Sequence, residues 1–271
     1  MKTATLAAIS AHDSETAKIW GEGGEAYNDI SFAISDALAH AAQRLDPKPG
    51  EKILDLATGT GWSARNVARA GSRVAAIDIA LPLLEAATKL SAHIDPPIDF
   101  RLADAEDLPF ADGEFDGIIS TFGVMFAANP DKAAHQLGRV CRRGGRVVLA
   151  TWAPEGAVAH FFAILSSYGD ASPPPVSPLA WGDPAFVERL LGRDFSLKFE
   201  PGVSHAYHAD PEAIWSWYVR GFGPLRSLAQ ALVAEDRGRL RRDLDAYHAA
   251  YMTDAGLHVK REYLVTIGAR R

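Results

Sequence analysis

Five apolar residues, Ile30, Ile34, Leu38, Ala41 and Leu45, recur every three or four positions. That is the spacing of one helix face, and it predicts an amphipathic helix over roughly 30–45. The run Asp46-Pro47-Lys48-Pro49-Gly50 ends it, because proline cannot continue the helical hydrogen-bond ladder. The apolar runs then become short. Lys52–Leu56 predicts a first strand, and a helix follows from Trp62 to Ala70 with Gly71 as its stop. Arg73–Ile79 predicts a second strand. Leu81–His93 predicts a helix with Pro82 in its first turn. Ile98–Asp104 and Phe115–Thr121 predict strands three and four. Asn129 and Pro130 read as the cap and first residue of a helix to Arg142, and Gly144–Trp152 as strand five.

Strand and helix alternate throughout this half. Alternation of this kind implies parallel strands joined by right-handed helical crossovers, an α/β doubly wound sheet. Ligands in such sheets sit at the carboxyl ends of the strands. Asp55, Asp78, Asp104 and Thr121 all fall there. Beyond about residue 153 the pattern loosens. The proline-rich run 171–178 reads as a rigid extended loop. Phe195–Glu200 and Glu262–Ile267 predict two late strands. Two helical stretches lie between them, one from Asp210-Pro211 carrying Ile214, Trp217 and Tyr218, the other from about Leu225 to Met252.

Composition narrows the function classes. Hydrophobic residues make up 48% of the 271, ordinary for a folded protein. A net charge of −6 gives no global pull toward nucleic acid or anionic lipid. Cys141 is the only cysteine, which rules out an intrachain disulfide and a thiolate zinc cluster and fits the reducing cytoplasm. No apolar run reaches the roughly 18 residues of a membrane span. The N-terminus is a poor secretory signal.

The loop after strand one carries the chemistry. Gly59-x-Gly61-x-x-Ala64 satisfies a dinucleotide-binding pattern, and Asp78 lies near the distance at which an acid grips a ribose. Asp55 argues against a dinucleotide, whose doubly negative pyrophosphate would lie over this loop and the helix N-terminus. A carboxylate four residues before Gly59 repels that charge. S-adenosylmethionine (SAM) has no phosphate and carries a cationic ammonium and a cationic sulfonium, which an acidic strand end attracts.

The stretch Leu54–Gly61 resembles the first motif of class I SAM-dependent methyltransferases. Val74–Ala80 resembles their second motif, Leu102–Phe110 their third and Phe115–Phe126 their fourth. Arg139–Trp152 resembles their fifth strand and its preceding helix. The branch most resembled is methyltransferase type 11, the ubiquinone/menaquinone-biosynthesis type. The resemblance is specific over about 50–155. One departure is Ala57, where many relatives carry glycine. The resemblance implies a seven-stranded, mostly parallel sheet with an antiparallel last strand and a helical cap. It implies SAM as cofactor and S-adenosylhomocysteine as product. On this carry-over Asp55 accepts through water from the methionyl ammonium, and Ala57, Thr58, Gly59 and Gly61 line a backbone cradle. Asp78 holds both ribose hydroxyls, Ile79 packs on adenine, Asp104 accepts from the adenine amino group with Ala105 beside it, and Thr121 lies beneath the methionyl arm. An N-terminal segment closes over the cofactor and brings Tyr27 to it, with Trp20 in the lid.

Three segments are expected: an N-terminal helical lid over 1–50, a SAM-binding core over 51–155, and a C-terminal part over 156–271. The last completes the sheet and carries a helical substrate-cap insert over about 203–256. No catalytic base stands out among nine histidines. His12 and His160 are placed to face a substrate. His205 and His208 form an H-x-x-H pair without a third ligand nearby, so no metal site is expected. Trp152, Phe161, Phe162, Tyr168, Trp181, Trp215, Trp217 and Tyr218 either glue the cap to the sheet or line an apolar pocket. The clusters Arg142-Arg143 and Arg237 to Arg242 read as helix-end charges rather than a nucleic-acid surface. No Asn-Pro-Pro-Tyr run follows strand four, the run carried by relatives that methylate amino groups on bases or protein glutamine. The leading reading is methyl transfer to a small apolar or aromatic metabolite at oxygen or carbon. A SAM-binding protein without transfer chemistry and an NAD(P)-dependent oxidoreductase stand as alternatives. Oligomeric state is not legible.

Overall fold

The computed structural model describes residues 11–169, 174–209 and 211–271. Eight strands form one sheet: β1 (Lys52–Leu56), β2 (Arg73–Asp78), β3 (Asp99–Leu102), β4 (Phe115–Thr121), β5 (Cys141–Trp152), β6 (Phe195–His208), the two-residue β7 (Met252–Thr253) and β8 (Gly256–Arg270). Their order is β3-β2-β1-β4-β5-β8-β6, with β7 paired to β8. Strands β1 to β5 are parallel, while β8 runs antiparallel to both β5 and β6. The predicted doubly wound sheet with an antiparallel last strand is what forms, with β7 as an addition. The winding direction reverses between β1 and β4, and the candidate site lies at that switch point.

Helices α1 (Ala11–Gly21), α2 (Tyr27–Phe32) and α3 (Ser35–Leu45) precede the sheet. The predicted helix over 30–45 is therefore two helices, broken at Ile34, which leaves helical backbone at φ −122°. The two parts serve different cores. Ala37, Leu38, Ala41 and Leu45 pack on the sheet, while Ile30 joins a second cluster under the cap. Helices α4 (Trp62–Ala68), α5 (Leu81–Leu90), α6 (Pro130–Val140), α7 (Ala157–Ser166) and α8 (Pro184–Leu191) connect the strands. Helices α9 (Pro211–Gly221), α10 (Gly223–Ala231) and α11 (Ala234–Ala249) form the cap. The single helix expected from Leu225 to Met252 breaks where Leu232 and Val233 turn extended.

The late strands run further than their predicted ranges. The predicted strand stops at Glu200, yet β6 passes on through Pro201-Gly202. Strand β6 is an edge, where the missing proline N–H takes nothing from the ladder. Gly202 is needed because a side chain there would begin 2.2 Å from the Tyr263 ring. Residues 203–208, expected in the helical insert, thus continue the strand. The extended β6–β8 ribbon supplies one wall of the second core, with Ala206, Leu257 and Val259 facing cap residues such as Ile214, Leu244 and Tyr247.

Candidate active site

The chain leaves β1 in left-handed backbone. Ala57 has φ +56°, Gly59 +56° and Gly61 +81°. Alanine is strained there, which is why glycine would suit position 57 better. The loop is held from three sides. Its Thr58 N–H donates to the Ile77 carbonyl at 2.8 Å, and its Gly59 N–H to Asp78 Oδ2 at 2.8 Å. The other Asp78 oxygen accepts from the Ala80 N–H at 2.9 Å. From below, Asp55 Oδ2 accepts from the Thr58 hydroxyl at 2.6 Å, and Arg65 donates to the Thr60 carbonyl at 2.6 Å.

These elements border a cavity of about 950 Å³ at the carboxyl ends of β1, β2 and β4. Tyr27, Ala57, Thr58, Gly59, Asp78, Ile79, Asp104, Ala105 and Thr121 all line it, gathered from five separate stretches of chain. Asp55 and Gly61 do not. Asp55 is fully buried beneath the loop, where it accepts from the Thr58 hydroxyl, and any role toward a ligand would be an indirect one. Gly61 opens α4; a side chain there would press on Phe100, Ala87 and Arg65, so its role is packing and turn geometry. Asp104 Oδ1 accepts from the Glu106 N–H at 2.8 Å, which fixes the turn after β3. The Thr121 hydroxyl pairs with Ser63 at 2.8 Å, joining β4 to α4.

Sequence reasoning missed Phe122, Phe126, Trp62 and Ile34, which also line this cavity. Phe122 has φ +59°, rare for a bulky residue, and stacks on Trp152 at 3.9 Å between centroids. Gly123 beside it is compulsory, because a side chain there would begin 2.4 Å from the Ala57 methyl. No periodicity announces Phe122 and Phe126, which lie in the irregular stretch after β4. Trp20 packs on Phe126 at 4.8 Å and lines the cavity from α1. Asn28 docks α2 on α4 by accepting from Trp62 Nε1 at 2.8 Å.

Burial dominates the electrostatics. It pushes the Asp55 carboxyl up to about 7, opposed by the Thr58 hydroxyl and by the nearby Ala64 N–H, which falls outside hydrogen-bond geometry to Asp55 Oδ1. It raises the Asp78 carboxyl as well, against its backbone donors, and raises the Tyr27 phenol further with help from the Asp78 charge. The Asp55 shift has a measurable sign. An unfolded aspartate titrates near ~4, so between that value and about 7 the folded chain keeps a proton that the unfolded chain has lost. Its stabilising contribution is complete below ~4 and disappears as pH rises through about 7. Thermal unfolding of Asp55→Asn is expected to depend less on pH between 5 and 8 than that of the wild type. Identical profiles would mean that Asp55 is ionised throughout.

A second cavity of about 830 Å³ adjoins the first. Trp20, Tyr27, Ile34, Phe122 and Phe126 line both and form the partition between them. The aromatic cluster divides accordingly. Trp152, Phe161, Phe162, Trp217 and Tyr218 line the second cavity, while Trp181 is buried in the sheet core and Tyr168 bonds Asp243 outside. His160 is exposed and packs edge-on to Tyr247, so it does not face a substrate. The His12 side chain lies outside the described residues. His205 and His208 part company because residues three apart on a strand point to opposite faces. His205 bonds His258 at 2.8 Å on the exposed face, and His208 turns to the second cavity. Among the described residues no cluster of His, Cys, Asp or Glu could hold a metal. His208, His248 and Arg261 line the second cavity and were not legible beforehand, since β6, α11 and β8 bring them together.

A family model described as "Methyltransferase domain" matches residues 54–149. A demethylmenaquinone methyltransferase of Streptomyces avermitilis is 33% identical over 190 residues, covering 66% of this chain and 78% of the relative. The chain belongs to the class I SAM-dependent methyltransferases. An uncharacterised protein of Mycobacterium tuberculosis is 32% identical over 229 residues, covering 82% of each chain. The methyltransferase fold recurs in a phosphoethanolamine N-methyltransferase of Haemonchus contortus, solved with phosphomonomethylethanolamine and S-adenosylhomocysteine. That structure has a TM-score of 0.57 at 16% identity, covering 87% of this chain and 52% of the other.

Proposed function

We propose that this methyltransferase uses SAM to methylate a small, apolar or aromatic metabolite at oxygen or carbon. The observation that carries the reading is the pair of cavities meeting at one aromatic partition. The first is rimmed by Asp78 and Asp104, and no Lys, Arg or His lines it among the described residues. Such a donor set suits a cationic ligand and opposes a pyrophosphate, which is the case against a dinucleotide. The cradle fits closely, since a side chain at Gly59 would begin 3.3 Å from the Tyr27 ring.

When bound, SAM supplies a methyl group on a positively charged sulfur. Asp78 would hold the ribose hydroxyls. Each of its oxygens already takes one N–H, and a carboxylate has further lone pairs for a ligand. Ile79 would lie against adenine, Asp104 and Ala105 would bound it, and Thr121 would lie under the methionyl arm. Asp55 would set the loop through Thr58. Trp20, Tyr27, Phe122 and Phe126 would exclude water where the methyl crosses, leaving alignment as the main source of rate. Among the partition residues only the Tyr27 hydroxyl could exchange a proton, and burial holds that proton in place. Any proton the nucleophile has to lose would therefore leave by a group outside the partition.

Calorimetry on the purified protein tests the cofactor. SAM and S-adenosylhomocysteine are expected to bind and NADH to be silent, and the reverse would overturn the reading. Release of S-adenosylhomocysteine in a metabolite screen separates an enzyme from a protein that only binds SAM. Cys141, the sole cysteine, has no partner for an intrachain disulfide, which suits a reducing compartment, and we place the protein in the cytoplasm. No helix of the described residues is long and apolar enough to cross a membrane.

The same reading divides the chain into a lid over 1–50, a SAM-binding core over 51–155 and a C-terminal part over 156–271. A lid must open to admit ligands, so it is less protected than the sheet when empty. Hydrogen exchange with and without S-adenosylhomocysteine is expected to slow most in residues 12–30. Equal protection in both states would make this segment a fixed part of the fold.

A further inference from the structure

The far end of the second cavity carries a charge that the apolar walls do not explain. Arg261, on β8, is only 8% exposed. One terminal nitrogen, Nη2, donates to the Ala33 carbonyl and to Ser204 Oγ, the latter at 3.0 Å. Ser204 donates in turn to Asp36 Oδ1 at 2.8 Å. The carboxylate thus reaches the guanidinium through a hydroxyl, and no direct ion pair forms among the described residues. Among the described residues the buried Arg261 Nε has no hydrogen-bond partner. A buried guanidinium N–H left unpaired is costly, and sites that leave one open bind a complementary group.

The neighbours fit an anion. His208 and His248 line the same end, each held toward its neutral form by burial first, then by the Arg261 charge for His208 and by His208 for His248. A neutral imidazole carries one N–H that can donate to the anion. Tyr218 completes the group, its phenol kept protonated by burial. The carboxylates that line the first cavity, Asp78 and Asp104, are absent from this one, and no Asp or Glu lines it among the described residues. Toward the partition the walls are aromatic, formed by Phe161, Phe162 and Phe222.

We infer that the second cavity takes a flat aromatic acceptor bearing a carboxylate. The carboxylate is held by Arg261 with His208, His248 and Tyr218, and the methylated atom lies at the opposite end against the Tyr27–Phe126 partition. Both Nη2 hydrogens are already given to Ala33 and Ser204, so the carboxylate would take a charge-assisted bond from the remaining guanidinium N–H groups, stronger than the bond a neutral amide accepts. Arg261 is then the residue that sets acceptor specificity. This inference rests on the methyltransferase reading, because it assigns the acceptor side of the same site.

Binding of biphenyl-4-carboxylate and of the neutral biphenyl-4-carboxamide, followed by quenching of tryptophan fluorescence in the presence of S-adenosylhomocysteine, tests it. The wild type is expected to prefer the acid by about tenfold or more. Arg261→Gln should lose that preference while binding S-adenosylhomocysteine as the wild type does, and Arg261→Lys should keep part of it. Equal affinity for acid and amide in the wild type overturns the inference, as does an unchanged preference in Arg261→Gln. Tighter binding of 4-phenylphenol than of the acid also overturns it, in favour of a phenol. If Arg261→Gln does not fold, the wild type labelled with 15N-arginine carries the test, with Arg261→Lys assigning the Nε–H resonance. That resonance should move with the acid and stay with the amide, and no movement overturns the inference. Failure of the wild type to bind S-adenosylhomocysteine at all would instead sink the cofactor reading.

Discussion

Alanine at position 78 is expected to weaken S-adenosylhomocysteine binding by about 1.5–3 kcal/mol, one to two orders of magnitude in Kd. The loss has two parts. The ligand loses its acceptor for the ribose hydroxyls, and the Gly59 N–H loses the oxygen that fixes the glycine loop at 2.8 Å. Asp78→Asn separates them. An amide keeps one acceptor but turns an NH2 toward either the Gly59 or the Ala80 N–H, donor against donor. The asparagine variant should therefore fall close to alanine rather than midway. The fold should survive both, because Asp78 is held by backbone groups and neutralises no partner in the core. Calorimetry reads the affinities, and an unchanged affinity in Asp78→Ala would show that the cofactor does not lie over β2.

Trp181→Ala is expected to cost about 3–5 kcal/mol of stability, the usual range for emptying a fully buried tryptophan site. Typical domains hold only about 5–15 kcal/mol in total, so the variant should be marginal. Trp181 is completely buried in the turn Pro178–Gly182 between β5 and α8. Its carbonyl accepts from the Thr151 hydroxyl at 2.8 Å, and its ring packs edge-on to Phe186. The turn cannot collapse into the void, because a side chain at Gly182 would already begin 2.1 Å from the Trp152 carbonyl. The indole Nε1 has no partner, so Trp181→Phe removes an unpaired N–H along with part of the volume and should cost less. Urea unfolding with an unchanged m-value is the measurement. Trp181 lines neither cavity, so protein that remains folded should bind S-adenosylhomocysteine normally. A loss below ~1 kcal/mol would place the ring outside the core.

The parallel half of the sheet was legible because each strand is a short apolar run ending in Asp55, Asp78, Asp104 or Thr121, with a helix following. Local pattern suffices where each element is bounded by its own turn chemistry. It failed where the reason for a residue lies far away in the chain. Gly202 lies past the predicted strand, and nothing near it in the chain shows that Tyr263 lies over it. Asp55 reads as an acid near the ligand, and no local pattern shows that Thr58 closes over it. His208 reads as the partner of His205 until the pleat separates them. The second cavity was visible only as an aromatic composition, and its charged end depends on a ribbon-and-cap contact that no local spacing encodes.

Placing β8 between β5 and β6 also bears on how the chain reaches this state. Val147–Ala150, fully buried in the finished sheet, pair on one side with Val265–Gly268. Strand β6 has no neighbour except β8. Until residues 256–270 arrive, β5 presents an open apolar edge and β6 has nothing to pair with. Unpaired apolar edges template association between chains, and pairings this distant in sequence form slowly. The interval before β8 inserts is therefore the one in which this protein is most exposed to aggregation. A cut anywhere between β5 and β8 removes an interior strand rather than trimming the margin of the sheet.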